Sequence, residues 1–357
     1  MKKQCTLYWT FLAITLSGLV LGLAGGEPGS ALAATSAPTP GPSPAAAAPA
    51  PGPTIQWVLA RGPQQEVKAT DEYVQHQNVI DTVQRYTKGR LKIVHRTLGP
   101  PNEVLDIVLD RRADLGLQGT AFRAELALWH WAGIPGLSMD DVLQVWPHVK
   151  PIIEESFEKD FGVVCGFWAL WGPQLVFTKQ PIRTIEDFKG MKIRTQSKES
   201  ALLMQQIGAV RTNVSYPEVY MALQRGVVEA SASAVRGVIN LKWNEVLKYA
   251  NVWPIGQNPW VYVINKDSWA ALPGELKPLV RHALEDAGDK AIWMYGRSAP
   301  FEDEGLVVGS GMTMVKPSKE EMQKMVKAVE QIRQDWAKRA GSRGPEVLRI
   351  IKEVLGQ

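Results

Sequence analysis

Between residues 184 and 214 the chain alternates between helical and extended patterning, and this constrains the fold more than any other stretch. Thr184 followed by Asp187 reads as a helix start, and Gly190 as its stop. Met191–Lys192–Ile193–Arg194–Thr195 reads as a strand with Met191 and Ile193 on one face. Ser197 opens a second helix carrying Ala201, Leu202, Met204 and Ile207, and Gly208 closes it. The next strand is expected over 210–214. Helix, strand, helix, strand is the order of a parallel sheet. Ligands of such sheets bind beyond the carboxyl ends of the strands. Arg194 stands at such an end, so its guanidinium is expected to face a crevice.

The rest of the chain carries the same mixture. Strands are expected at 55–59, 91–94, 114–117 and 260–264, and helices at about 74–86, 102–112, 218–225 and 275–297. Ser215 with Glu218, and Ser318 with Glu321, form capping-box patterns. The second opens a helix with Met322, Met325, Val329, Ile332 and Trp336 on one face, a stripe suited to core packing. No internal repeat is present. The 357 residues suffice for two α/β lobes with cores of their own.

The start of the chain is organised differently. Lys2 and Lys3 precede an apolar run from Leu7 to Ala24, and Ala31–Leu32–Ala33 is a small-x-small cleavage signal. Residues 1–33 are therefore expected to be a secretory signal peptide. The run is also long enough for an uncleaved membrane anchor, but the cleavage signal favours removal. Cys5 lies too early for a lipoprotein signal. Residues 34–54 are almost entirely Pro, Ala, Gly, Ser and Thr, the composition of an extended spacer. After the leader only Cys165 remains, so no internal disulfide can form. It lies in an apolar strand and is expected to be a buried small hydrophobe.

Several chemistries are excluded or unsupported. Lys plus Arg is 40 against 36 Asp plus Glu, with no long run of one sign, which argues against a nucleic-acid partner. There is no G-x-S-x-G elbow, no H-E-x-x-H, no P-loop and no G-x-G-x-x-G opening a helix. His76, His95, His130, His148 and His282 are scattered without ligand spacing. Asp140–Asp141 suits a helix start better than a metal site. No enzyme, metal or cofactor is expected.

Residues 181–273 contain PIRTIEDFKGMKIRT, then GA at 208–209, YPEVYMALQRGVVEA, NEVLKYANVWPI and PWVYVINKDSWAALP. This series resembles the solute-binding proteins of TRAP transporters, the DctP type. LG at 98–99, EVL at 103–105 and RADLGLQGT extend the resemblance over most of 55–300. The resemblance implies a two-lobed α/β periplasmic binding-protein fold with crossover strands, a long bridging helix and a ligand cleft between the lobes. Lobe 1 is expected to comprise 55–172 with 260–300, and lobe 2 to comprise 173–259 with 301–357. The implied function is periplasmic binding of an organic acid and its delivery to the membrane subunits of an ion-gradient-driven permease. The alternative on the same fold is a sensory protein presenting its ligand to a membrane receptor.

The carboxylate-binding arginine of that family corresponds to Arg194. The guanidinium is a planar fork matched to a carboxylate by two charge-assisted hydrogen bonds. A second arginine, common in the family, is replaced here by Gln174, and an asparagine by Ser233. Trp168, Trp171 and Tyr216 fall at or near cleft positions, where aromatic walls supply apolar area with few rotamers to freeze. Loss of a cation and gain of aromatic surface point to a monocarboxylate with a less polar or aromatic body. For Trp168 and Trp171, core and cleft are both open. Thr120, after the third strand, is a further candidate through its hydroxyl.

Overall fold

The computed structural model describes residues 52–62, 71–297 and 299–357. The expected leader, 1–33, and all but the last three residues of the 34–54 spacer lie outside the described residues. The chain divides into Met1–Ala50 and Pro51–Gln357, and the description below concerns the second unit.

That unit opens with β1 (Ile55–Arg61), α1 (Asp71–Tyr86), β2 (Leu91–Thr97), α2 (Val104–Leu109) and β3 (Leu115–Gly119). Next come α3 (Met139–Phe161), β4 (Val163–Pro173), β5 (Leu175–Thr178), β6 (Lys192–Arg194), α4 (Lys198–Gln206) and β7 (Val210–Arg211). They are followed by α5 (Val219–Gln224), β8 (Ala230–Ser233), α6 (Val235–Asn240), β9 (Tyr249–Asn251) and β10 (Gln257–Asn265). The chain finishes with α7 (Lys266–Ala270), α8 (Leu276–Ile292), α9 (Ala299–Gly309), β11 (Thr313–Val315), α10 (Lys319–Arg339) and α11 (Gly344–Leu355).

Two sheets result, β2-β1-β3-β10-β4 and β11-β9-β5-β8-β6-β7. In the second, β6 runs parallel to β7 and β8, as the helix–strand alternation requires. The expected strand over 210–214 shortens to two residues, and beyond its end the carbonyl of Val214 accepts from the side chain of Arg194. Chain passes between the sheets at Gln174, between β4 and β5, and again between β9 and β10. The two crossings are joined where the Gln174 N–H donates to the Gly256 carbonyl at 3.0 Å. Gly256 has φ +108°, and a Cβ there would lie 2.4 Å from the Gly133 carbonyl oxygen, so no larger residue fits.

Each sheet is covered on both faces. From β4, Val163, Cys165, Trp168 and Leu170 join one core with α3, whereas Val164, Phe167, Ala169 and Trp171 join another with α8. Strict alternation would put Cys165 and Phe167 on one face. The register slips between Tyr262 and Val263 of β10, leaving Gly166 as an extra residue that reverses the parity. Burial pushes the Cys165 thiol up to about 12, so it stays protonated as a small apolar side chain.

The helix joining the two halves is α10. Ser318 Oγ accepts from the Glu321 amide at 3.2 Å, and acids in the first turn and bases in the last complement the helix dipole. Met325, Val329 and Ile332 enter the second sheet's core, while Trp336 and Ala337 enter the first's. Trp336 Nε1 donates to the Ala127 carbonyl at 2.7 Å. The 275–297 stretch instead packs on α1 and β4, and beyond Ile292 it widens into a π turn, Trp293–Arg297. Residues 301–357 serve both halves: β11 extends the second sheet, while Val347, Leu348 and Ile351 of α11 pack into the first sheet's core.

Candidate ligand-binding site

Ile193 points into the second sheet's core, so alternation turns Arg194 to the opposite face. There it stands in register with Ser231 of β8, two residues before Ser233, which pairs with Leu175. Arg194 is only 6% exposed. Its Nε donates to the Val214 carbonyl at 3.3 Å, and its Cζ lies 5.4 Å from the Tyr216 ring centroid. Nη1 is buried without a hydrogen-bond partner, and no described carboxylate forms an ion pair with the group. Burial pushes its pKa down and Tyr216 opposes this, but a guanidinium remains charged at neutral pH. A buried cation is thus held against an aromatic face with no counter-ion among the described residues.

The neighbouring polar groups follow from the same pairing. Tyr216 begins the turn Tyr216–Glu218, and its ring meets Trp243 at 5.3 Å. A Cβ on Gly237 of α6 would lie 2.4 Å from the Tyr216 hydroxyl and 3.2 Å from Ser233 Oγ, so both hydroxyls converge on that bare backbone. Ser231 is fully buried and its Oγ has no partner. Gln174, at the crossing, is 7% exposed, and its Oε1 and Nε2 are both buried and unpaired. Unmet polar groups of this kind are costly inside a protein unless something binds them.

The other expected residues separate. Trp171 packs edge-on against Tyr295 at 4.6 Å and Trp260 at 6.1 Å, with the indole N–H of both tryptophans unpaired. Trp168 lies in the opposite core, stacked on Trp146 at 4.8 Å and Trp131 at 5.5 Å. An odd spacing along one strand sends the two side chains to opposite faces, so they cannot share a wall. Thr120 is committed within the protein. Its hydroxyl donates to the Pro259 carbonyl at 2.8 Å and, having one hydrogen, accepts from His130 Nδ1 at 2.8 Å. It has no proton left for a ligand.

The segment after Arg194 is firmly anchored. Ser197 Oγ accepts from the Ser200 amide at 3.1 Å to begin α4. Glu199, in the first turn, is buried between Arg339 at 2.7 Å and His130 Nε2 at 3.6 Å. Burial opposes charge on Glu199, but the hydrogen-bonded Arg339 guanidinium helps hold the carboxyl below the usual range. Burial likewise pushes His130 down. Among the described residues no three His, Cys, Asp or Glu side chains converge as a metal site, and no described helix is long and apolar enough to cross a membrane.

Residues 149–339, more than half of the chain, match the family model described as bacterial extracellular solute-binding protein, family 7, DctP. The chain belongs to this family. The C4-dicarboxylate-binding periplasmic protein DctP of Rhodobacter capsulatus is 32% identical over 126 residues, 34% of this chain and 38% of that protein. The crystal structure of DctP7, a Bordetella pertussis extracytoplasmic solute receptor binding pyroglutamic acid, superposes with a TM-score of 0.74 at 22% identity. The match covers 84% of this chain and all of that one. A TRAP periplasmic solute-binding protein from Bordetella bronchiseptica with bound (R)- and (S)-mandelate gives 0.69 at 22% identity, over 85% and 99% of the two chains. These likenesses establish the two-lobed fold for this DctP-family chain.

Of the residues singled out from sequence, Arg194, Tyr216 and Ser233 converge on one face of the second sheet. Gln174 and Trp171 lie at and just before the crossing. Ser231 and Trp260 escaped sequence reasoning. Ser231 could have been found by pairing SAS at 231–233 against the strand ending at Arg194, but that requires knowing which strands are neighbours.

Proposed function

We propose that this DctP-family protein is the periplasmic receptor for a monocarboxylic organic acid, which Arg194 holds by its carboxylate and which is passed to a TRAP permease. One observation carries the reading: Arg194 is buried and charged, no described carboxylate pairs with it, and Nη1 is unpaired. A carboxylate supplies the missing charge and acceptor atoms together, and exclusion of water strengthens the pair. Tyr216 braces the guanidinium from its face, leaving the fork's edge for the acid. A neutral amide at Gln174, where a second cation is common in the family, fits one carboxylate rather than two. The aromatic rings of Trp171 and Trp260 suit a compact, partly apolar body. Pyroglutamate and mandelate, bound by the two Bordetella proteins, are acids of that type.

A thermal-shift panel of mono-, di- and aromatic carboxylates tests the reading. A ligand present at a hundred times its Kd stabilises by about 2.7 kcal/mol. Monocarboxylates should raise the midpoint of wild type and leave Arg194→Ala unmoved. Responses confined to neutral sugars or cations, or an Arg194→Ala variant that binds as tightly as wild type, would overturn it.

A further inference from the structure

We propose that His130 and Glu199 form an acid-released latch between the two halves of the protein, so that the halves separate as the surrounding pH falls.

The two residues come from opposite halves. His130 lies between Trp129 and Trp131, which are buried in the first sheet's core with α3. Glu199 stands in the first turn of α4, whose Leu203 and Met204 enter the second sheet's core. His130 is 2% exposed and Glu199 3%. Their facing atoms, Nε2 and Oε2, are 3.6 Å apart, and Nε2 has no hydrogen-bond partner. Glu199 follows Arg194 across one short turn, and Thr120, which holds His130, follows β3 directly. A separation here therefore carries the segment after Arg194 away from the first half.

The hydrogen bonds fix what the ring presents. Thr120 gives its one hydrogen to the Pro259 carbonyl, so Nδ1 carries the hydrogen of a neutral His130. Nε2 then turns a bare lone pair toward the carboxylate. Glu199 is already paired, because Oε1 accepts from Arg339 at 2.7 Å. Among the described residues the charged groups facing the ring are Glu199 from α4 and Arg339 from the end of α10. Those two charges cancel, and a proton on Nε2 would leave the buried cluster with a net positive charge. Burial opposes that charge, Glu199 favours it and Arg339 opposes it, and the balance falls against the proton. Water lifts the penalty once the halves part. The proton thus binds the separated form, and mass action draws the protein toward it. Hinge separation is how a two-lobed binding protein admits and releases its solute. An imidazole in water titrates near about 6.5. A ring that takes its proton only when the halves are apart shifts the balance toward separation about tenfold between pH 7.5 and 5.5.

Single-molecule energy transfer between fluorophores on Glu158→Cys of α3 and Arg225→Cys, just past α5, reports the distance between the halves. It is measured on the ligand-free full-length protein carrying Cys5→Ser. Both labelled positions are exposed, whereas Cys165 is buried and escapes labelling. The ratio of separated to joined molecules should rise about tenfold from pH 7.5 to 5.5. His130→Gln should flatten the response. His76→Gln should leave it in place, because that ring is buried within the first half against Tyr262. Glu199→Gln should raise the separated fraction at pH 7.5, where Arg339 loses its counter-charge. A distance distribution that does not change with pH, a joined fraction that grows on acidification, or a response that survives His130→Gln would overturn the proposal. The first two outcomes are read without any change at His130 or Glu199, so they stand whether or not those variants fold.

Discussion

Consider Arg194→Met in the ligand-free protein. The guanidinium is withdrawn from water, which costs several kcal/mol even after relaxation. Two interactions offset this. The bond from Nε to Val214 is long at 3.3 Å and lies at the weak end of charged hydrogen bonds, about 1.5 kcal/mol. The contact with the Tyr216 ring at 5.4 Å adds about 1 kcal/mol. The balance leaves the apo protein destabilised by roughly 1–3 kcal/mol, which an apolar side chain of similar length removes. For a unit of about 300 residues, with an unfolding entropy near 2.1 cal/mol/K per residue, the midpoint should rise by roughly 2–5 °C. Differential scanning calorimetry without ligand measures this, and titration of the same sample should show carboxylate affinity reduced by more than about a hundredfold. A midpoint lowered by several degrees together with intact acid binding would refute the reasoning, since Arg194 would then be a structural residue satisfied by the protein.

Two further outcomes follow from the geometry. His76, with Nδ1 2.6 Å from the Tyr262 hydroxyl, is pushed down to about 3, mainly by burial. Its folded pKa lies below the unfolded value near 6.5, so the unfolded state takes up the proton first. Stability from this group is therefore complete above that value and declines as pH falls toward 3, by about 1.4 kcal/mol per unit. Urea unfolding at pH 7 and pH 5 should show a loss that His76→Gln reduces by about 2 kcal/mol, and an unchanged loss in that variant would exclude His76 as its source. Gly237→Ala places a Cβ 2.4 Å from the Tyr216 hydroxyl, so the half-buried ring must shift from Arg194. Acid affinity should drop about tenfold while the helix itself gains up to about 1 kcal/mol from the substitution. Undiminished affinity would remove Tyr216 from the site.

Much of the architecture was legible because local physics writes it into short stretches. Capping at Ser197 and Ser318, the apolar stripe of α10 and the position of Arg194 at a strand end needed only neighbouring residues. What was not legible has a common cause. Thr120 looked available because its partners, the Pro259 carbonyl and His130, lie on other segments. The odd spacing of Trp168 and Trp171 already puts them on opposite faces, but which core each enters is set by the extra residue at Gly166, which appears only in the pairing of β4 with β10. The bridging helix could not be told from the 275–297 stretch, since both are long and amphipathic.

The sequence by itself determined the α/β class, the family and an arginine aimed beyond a strand end, because period, caps and motif spacing are local properties of the chain. Only the tertiary structure decided which polar groups remain unmet. Among the described residues Arg194 Nη1, the Gln174 carboxamide and Ser231 Oγ are left without partners, and the Thr120 hydroxyl is not, because satisfaction of a buried group depends on atoms brought from distant segments.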